Sequence, residues 1–91
     1  MKDKYMLYPL TVRSLAFEIR TIVDDYSLKR ISNSQLEELI FWYAKKFPHM
    51  LFSADKLNPT ISFIIGKKRS AVVYEILDGF KYEFEIKKVI T

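Results

Sequence analysis

The chain has no cysteine and a single histidine, His49, among its 91 residues. A disulfide framework and a thiolate metal site are therefore impossible, and a lone imidazole cannot build a histidine cluster, so neither metal nor cofactor is expected. Glycine is almost as scarce. Gly66 and Gly79 are the only two, and two isolated glycines cannot form a loop that cradles phosphate. No window approaches the roughly 18 apolar residues of a membrane span, and the start, MKDKYMLYPL, lacks the continuous apolar stretch of a signal peptide. A cytoplasmic protein without membrane contact is the expectation.

What the chain does have is apolar material: 49% of its residues are hydrophobic and 15% aromatic, enough for one domain with a real core. Fifteen Lys and Arg against eleven Asp and Glu leave a net charge of +4. That balance mildly favours anionic partners, but only cations gathered on one face make an electrostatic footprint.

Helical periodicity organises most of the sequence. Over 11–26, Val12, Leu15, Ala16, Ile19, Ile22, Val23 and Tyr26 recur on one stripe, with Thr11 placed to cap the first turn and Phe17 on the opposite side. LKRIS then breaks the period and reads as a short extended link or minor strand. Ser32 with Gln35, or Ser34 with Glu37, has the spacing of a capping box for a second helix over 33–47. Its buried stripe is Leu36, Leu39, Ile40, Tyr43 and Phe47, with Phe41 and Trp42 on the flanks, and Pro48 stops it.

PHMLFSADKL reads as a packed loop with Met50, Leu51 and Phe52 tucked in. Asn58 followed by Pro59 then starts a short helix over 59–65. Gly66 and Gly79 bracket a fourth helix, 67–78, as left-handed residues that end helices do. Beyond it, Phe80, Tyr82, Phe84 and Ile86 alternate with charged residues, the period of a strand over 80–86. The resulting fold class is mainly α, with α+β character: four helices in one domain and a short C-terminal strand.

Two surfaces are candidates for function. Phe17, Phe41 and Trp42 lie off the core stripes, and exposed aromatics that cluster mark protein-binding sites. The edge of the 80–86 strand offers a second pairing surface, including to another copy of the chain as a homodimer. Alternatively, 58–77 fits a helix-turn-helix. Lys67, Lys68 and Arg69 would then meet phosphates while Ser70, Val73 and Tyr74 faced the groove of DNA, with Val72 and Ile76 turned inward. Against this, Lys67 stands where such turns place a buried apolar residue, Glu75 is close to the supposed DNA face, and Phe63 and Ile64 are apolar where the first helix should be wet. A winged-helix version needs two late strands where one is visible.

Catalysis has little to work with. Asp24 and Asp25, like Glu37 and Glu38, are sequence neighbours, and neighbours on a helix point about 100° apart, so they do not converge on a substrate. His49 follows Pro48 without a nucleophile and acid at any supporting spacing. A non-enzymatic protein is expected.

The order of IVDDY, LKRIS, SNSQLEELI and IIGKKRSAVVYEIL resembles a family of short uncharacterised proteins from Gram-positive bacteria and their mobile elements, over residues 10–78. That resemblance implies no established activity and carries over no functional residue. It does imply a bacterial or phage setting, where small proteins of this kind regulate or inhibit a host protein. The expectation is thus a small regulator or inhibitor acting by protein contact, with a DNA-binding regulator as the alternative.

Overall fold

Thr11 opens the first helix as its position predicts: its hydroxyl accepts a hydrogen bond from the Ser14 amide at 3.0 Å, satisfying an amide that the helix itself leaves free. The computed structural model describes residues 4–90, with side chains as far as Asp78. In chain order the elements are α1 (Val12–Ser27), α2 (Asn33–Lys46), α3 (Pro48–Leu51), β1 (Phe52–Ser53), β2 (Lys56–Leu57) and α4 (Pro59–Ile90). The fold is mainly helical with one small antiparallel hairpin.

The LKRIS link is a helix ending. The amides of Lys29 and Arg30 donate to the carbonyls of Tyr26 and Asp25 at 3.0 and 2.8 Å, and Lys29 takes a left-handed φ of 62°. This is the Schellman arrangement, which satisfies two of the carbonyls that α1 leaves over. No minor strand forms there, because those backbone groups are already committed. Ser32 then begins α2, with the capping box completed by Gln35 in both directions, at 3.1 and 2.9 Å.

The expected packed loop is more ordered than its sequence suggests. Pro48 starts the single turn of α3, Leu51 is fully buried, and Phe52 pairs with Leu57 across the hairpin. The hairpin is fixed at its base by the Asn58 amide donating to the Leu51 carbonyl at 2.8 Å. It is fixed to α4 by the Leu57 amide donating to the Tyr74 hydroxyl at 3.1 Å. Asn58 then caps α4 by accepting from the Thr60 amide at 2.9 Å.

Gly66 breaks α4 into two arms, 59–65 and 67–90. Its φ of 85° and ψ of 171° lie in a region that only glycine occupies comfortably. Nothing else lies within 4 Å of where a Cβ would stand, so the backbone conformation alone requires glycine there. The core forms where α1, α2 and both arms of α4 meet. Leu15, Ile19, Ile22, Leu36, Ile40, Tyr43, Ile61, Ile65 and Val73 have no exposed surface. Each such side chain contributes about 1.5–3 kcal/mol relative to exposure.

The strand expected over 80–86 is absent, since α4 continues as helix through Gly79 to Ile90. The alternating residues also contain the helical pairs 80/84 and 82/86, so the same letters fit both periods. Adding residues to a helix already under way needs no new nucleus, and a glycine inside one costs only about 1 kcal/mol. Side chains of 79–90 lie outside those described. Without a strand there is no strand edge, and the pairing surface and homodimer expected through it lose their basis.

Candidate functional site

Residues 4–10 form a strap across α1 and α2, held by hydrogen bonds at successive positions. The Tyr5 hydroxyl donates to Asp25 at 2.6 Å and the Met6 amide to Glu18 at 3.0 Å. The Tyr43 hydroxyl and the Trp42 indole donate to the carbonyls of Met6 and Leu7 at 2.5 and 2.8 Å. Tyr8 adds an edge-on contact to the Trp42 ring, 5.6 Å between centroids, and Lys46 lies over that ring at 5.1 Å. Trp42 is therefore an internal anchor with one partly open face.

Asp25 is the polar centre of this strap. It is 5% exposed and, besides Tyr5, it meets Lys4 at 3.2 Å and Arg30 at 3.5 Å. The hydrogen bond from Tyr5, helped by the Lys4 charge, holds its carboxyl below the usual range even though burial works the other way. Burial, together with the bond to Asp25, pushes the Tyr5 hydroxyl up to about 12. Burial likewise pushes Tyr43 up.

Phe17 is in a different place. It is 45% exposed and shares a shallow groove with Phe63, which is 89% exposed, on the seam between α1 and the first arm of α4. Pro59, Thr60, Ile64, Arg13 and Arg20 line it with them. The Arg13 guanidinium lies 5.6 Å from the Phe17 ring centroid. Among the described residues no carboxylate lines the groove. Phe41 and Trp42 line another groove with Leu7, Leu39 and Lys45. The three aromatics expected to make one surface thus divide between two faces.

Of the residues assigned to DNA, Ser70 and Val73 are internal. Ser70 is 8% exposed and Val73 not at all, so neither faces a groove. The second arm is turned so that Val73, Ile76 and Leu77 are buried, with Val72 only partly so. Arg69 makes a two-point contact with Asp24, Nε at 2.6 Å and Nη2 at 3.1 Å. Its third nitrogen donates to the Ile65 carbonyl at 3.0 Å, one of the acceptors released by the break at Gly66. The Asp24 bond also raises the guanidinium further above its ordinary value. The Tyr74 hydroxyl is engaged by the hairpin although the residue is 38% exposed, and Lys67 and Lys68 are exposed as well.

Phe63, Arg13 and Arg20 did not stand out in the sequence as site residues. The available signal was spacing: Phe63 lies two residues from both Ile61 and Ile65, which are buried, while Arg13 and Arg20 flank Phe17 at four and three residues. Among the described residues no group of acidic, histidine or cysteine side chains is arranged to hold a metal, and no helix is long and apolar enough to cross a membrane.

A family model described as a conserved hypothetical protein matches residues 6–78, from the strap into the second arm of α4. No curated protein and no solved structure matches the chain.

Proposed function

We propose, for a chain that belongs to the CLB_0814_fam family of conserved hypothetical proteins, a non-enzymatic regulator or inhibitor that acts by docking another protein on the Phe17–Phe63 face. The observation that carries this reading is Phe63, an aromatic side chain 89% exposed on a helix whose neighbours Ile61 and Ile65 are fully buried. A large ring held in water by a rigid element gains about 1.5–3 kcal/mol when a partner covers it. Beside Phe17 it forms the kind of aromatic anchor that dominates binding energy at protein interfaces. The proposed setting is cytoplasmic and bacterial or phage, in keeping with the resemblance to proteins of Gram-positive bacteria and their mobile elements.

The test is a comparison of partner capture in the source cell by the wild-type chain and by Phe17→Ala/Phe63→Ala. The double variant should fold normally and lose the partner. Recovery of the same partner by the folded double variant would remove this face from the reading.

A second reading is DNA contact, with the exposed Lys67 and Lys68 on phosphates. Its expected signature is a steep loss of duplex binding with salt and with neutralisation of those two lysines. Duplex binding that is absent at about 50 mM salt removes it.

A further inference from the structure

The groove between α1 and the first arm of α4 carries more information than its exposure. Arg13 and Arg20 are seven residues apart on one helix, two turns, which is about 10.5 Å along the axis. Phe17 lies between them, four residues from one and three from the other, and Phe63 from the first arm of α4 lines the same groove. Among the described residues, every charged group lining the groove is a cation. Among the described residues neither Arg20 nor Arg13 makes a salt bridge, and the Arg13 guanidinium lies over the Phe17 ring. A bound segment must therefore be apolar at its middle and anionic at both ends.

We propose, resting on the protein-docking reading above, that the occupant is an acidic amphipathic helix of the partner. Two of its carboxylates are seven residues apart and meet Arg13 and Arg20. Apolar residues at the third and fourth positions between them cover Phe17 and Phe63. A helix lying nearly parallel or antiparallel to α1 repeats the same 10.5 Å spacing, about two turns, so both pairs form at once. A single extended strand puts adjacent side chains on opposite faces and cannot present both apolar positions to the groove. The aromatic pair supplies affinity, and the two arginines supply register and direction, as charged rims do elsewhere.

The experiment uses the full chain and synthetic helical peptides of about four turns. One peptide carries the proposed pattern, a second has its carboxylates exchanged for lysines, and a third has the same composition in scrambled order. Binding is read by fluorescence anisotropy, with thermal unfolding of each variant as the folding control. The patterned peptide should bind, and binding should fall at least about tenfold for Phe63→Ala and for Arg13→Glu/Arg20→Glu. The charge-reversed variant should gain the lysine peptide, an outcome that general loss of structure cannot produce.

Equal binding of patterned and scrambled peptides, or no binding of either, overturns the acidic-helix occupant. So does Phe63-dependent self-association in sedimentation, which assigns the face to a second copy. Uptake of a single-stranded oligonucleotide by the same residues overturns it as well. Partner capture that still depends on Phe63 while the peptides fail would leave the docking reading standing and this occupant wrong.

Discussion

Two aromatic faces among the described residues can be compared: on one the rings are tied to their own chain by hydrogen bonds, and on the other they are not. On the α2 side, Trp42 and Tyr43 each give their polar atom to the backbone of the strap, and Tyr8 lies edge-on to the indole. On the α1–α4 seam, Phe17 and Phe63 are exposed, and Arg13 and Arg20 line the same groove. The difference follows from residue type. Tyr and Trp pair an apolar body with a donor, so a passing main chain can bind them by hydrogen bonds. Phe has no such handle, and an uncovered Phe can only be buried by another apolar surface. Off-stripe aromatics are thus two populations, and the donor-bearing ones are the more readily retained by their own chain.

Removing the acid that holds the strap should have the largest effect. Asp25→Ala leaves the Tyr5 hydroxyl buried without its acceptor, a loss of about 2–3 kcal/mol measured by urea unfolding. Lys4 and Arg30 contribute little to that figure because both are more than half exposed. The same site makes the covered face sensitive to pH. The Asp25 carboxyl is held low in the fold, so its contribution is complete above the usual carboxylate range and is lost as pH falls through it. Tyr5, raised to about 12, contributes fully below the ordinary tyrosine range and loses that contribution as pH rises towards 12. Trp42 fluorescence should report strap release in acid, and Asp25→Asn should abolish that acid step. An acid step that is unchanged in Asp25→Asn would assign it to another group.

Gly66→Ala tests the open face from its hinge. With no atom near the added Cβ, the cost is that of the backbone alone, about 1–3 kcal/mol for a residue forced to a φ of 85° and ψ of 171°. The first arm carries Phe63 and packs on α1, so a change in the break should also weaken docking. Unchanged stability would mean the arms can meet through an ordinary conformation. A smaller loss, about 1 kcal/mol, is expected for Tyr43→Phe, which keeps the buried ring and removes only the bond to Met6.

Most of the fold was legible because period and caps agreed. Thr11, Ser32 with Gln35, and Asn58 with Pro59 mark helix starts, and their apolar stripes name most of the core. Three things were not legible. The 80–86 alternation fits strand and helix alike, and the helix already in progress decided the outcome. The strap has no period of its own, because its order comes from partners on α1 and α2 that are far away in sequence. The cations of GKKR looked equivalent in the sequence, yet Arg69 is tied to Asp24, 45 residues earlier. Half of the candidate site was visible through Phe17. Its other half depends on which helix lies alongside α1, which no local pattern states.

The smallest effect on stability should come from Phe63→Ala. A side chain that is 89% exposed has little area to lose from burial, so the change should stay within about 0.5 kcal/mol of wild type. Replacing phenylalanine by alanine also slightly favours the helix, which offsets part of any lost contact with Ile64. Leu10→Ala is the matched control, since Leu10 is 90% exposed but lies outside the groove. Both variants should unfold at the wild-type temperature, yet only Phe63→Ala should lose the partner. If both lose it equally, apolar exposure in general recruits the partner, and the distinction between an open aromatic seam and an ordinary exposed leucine collapses.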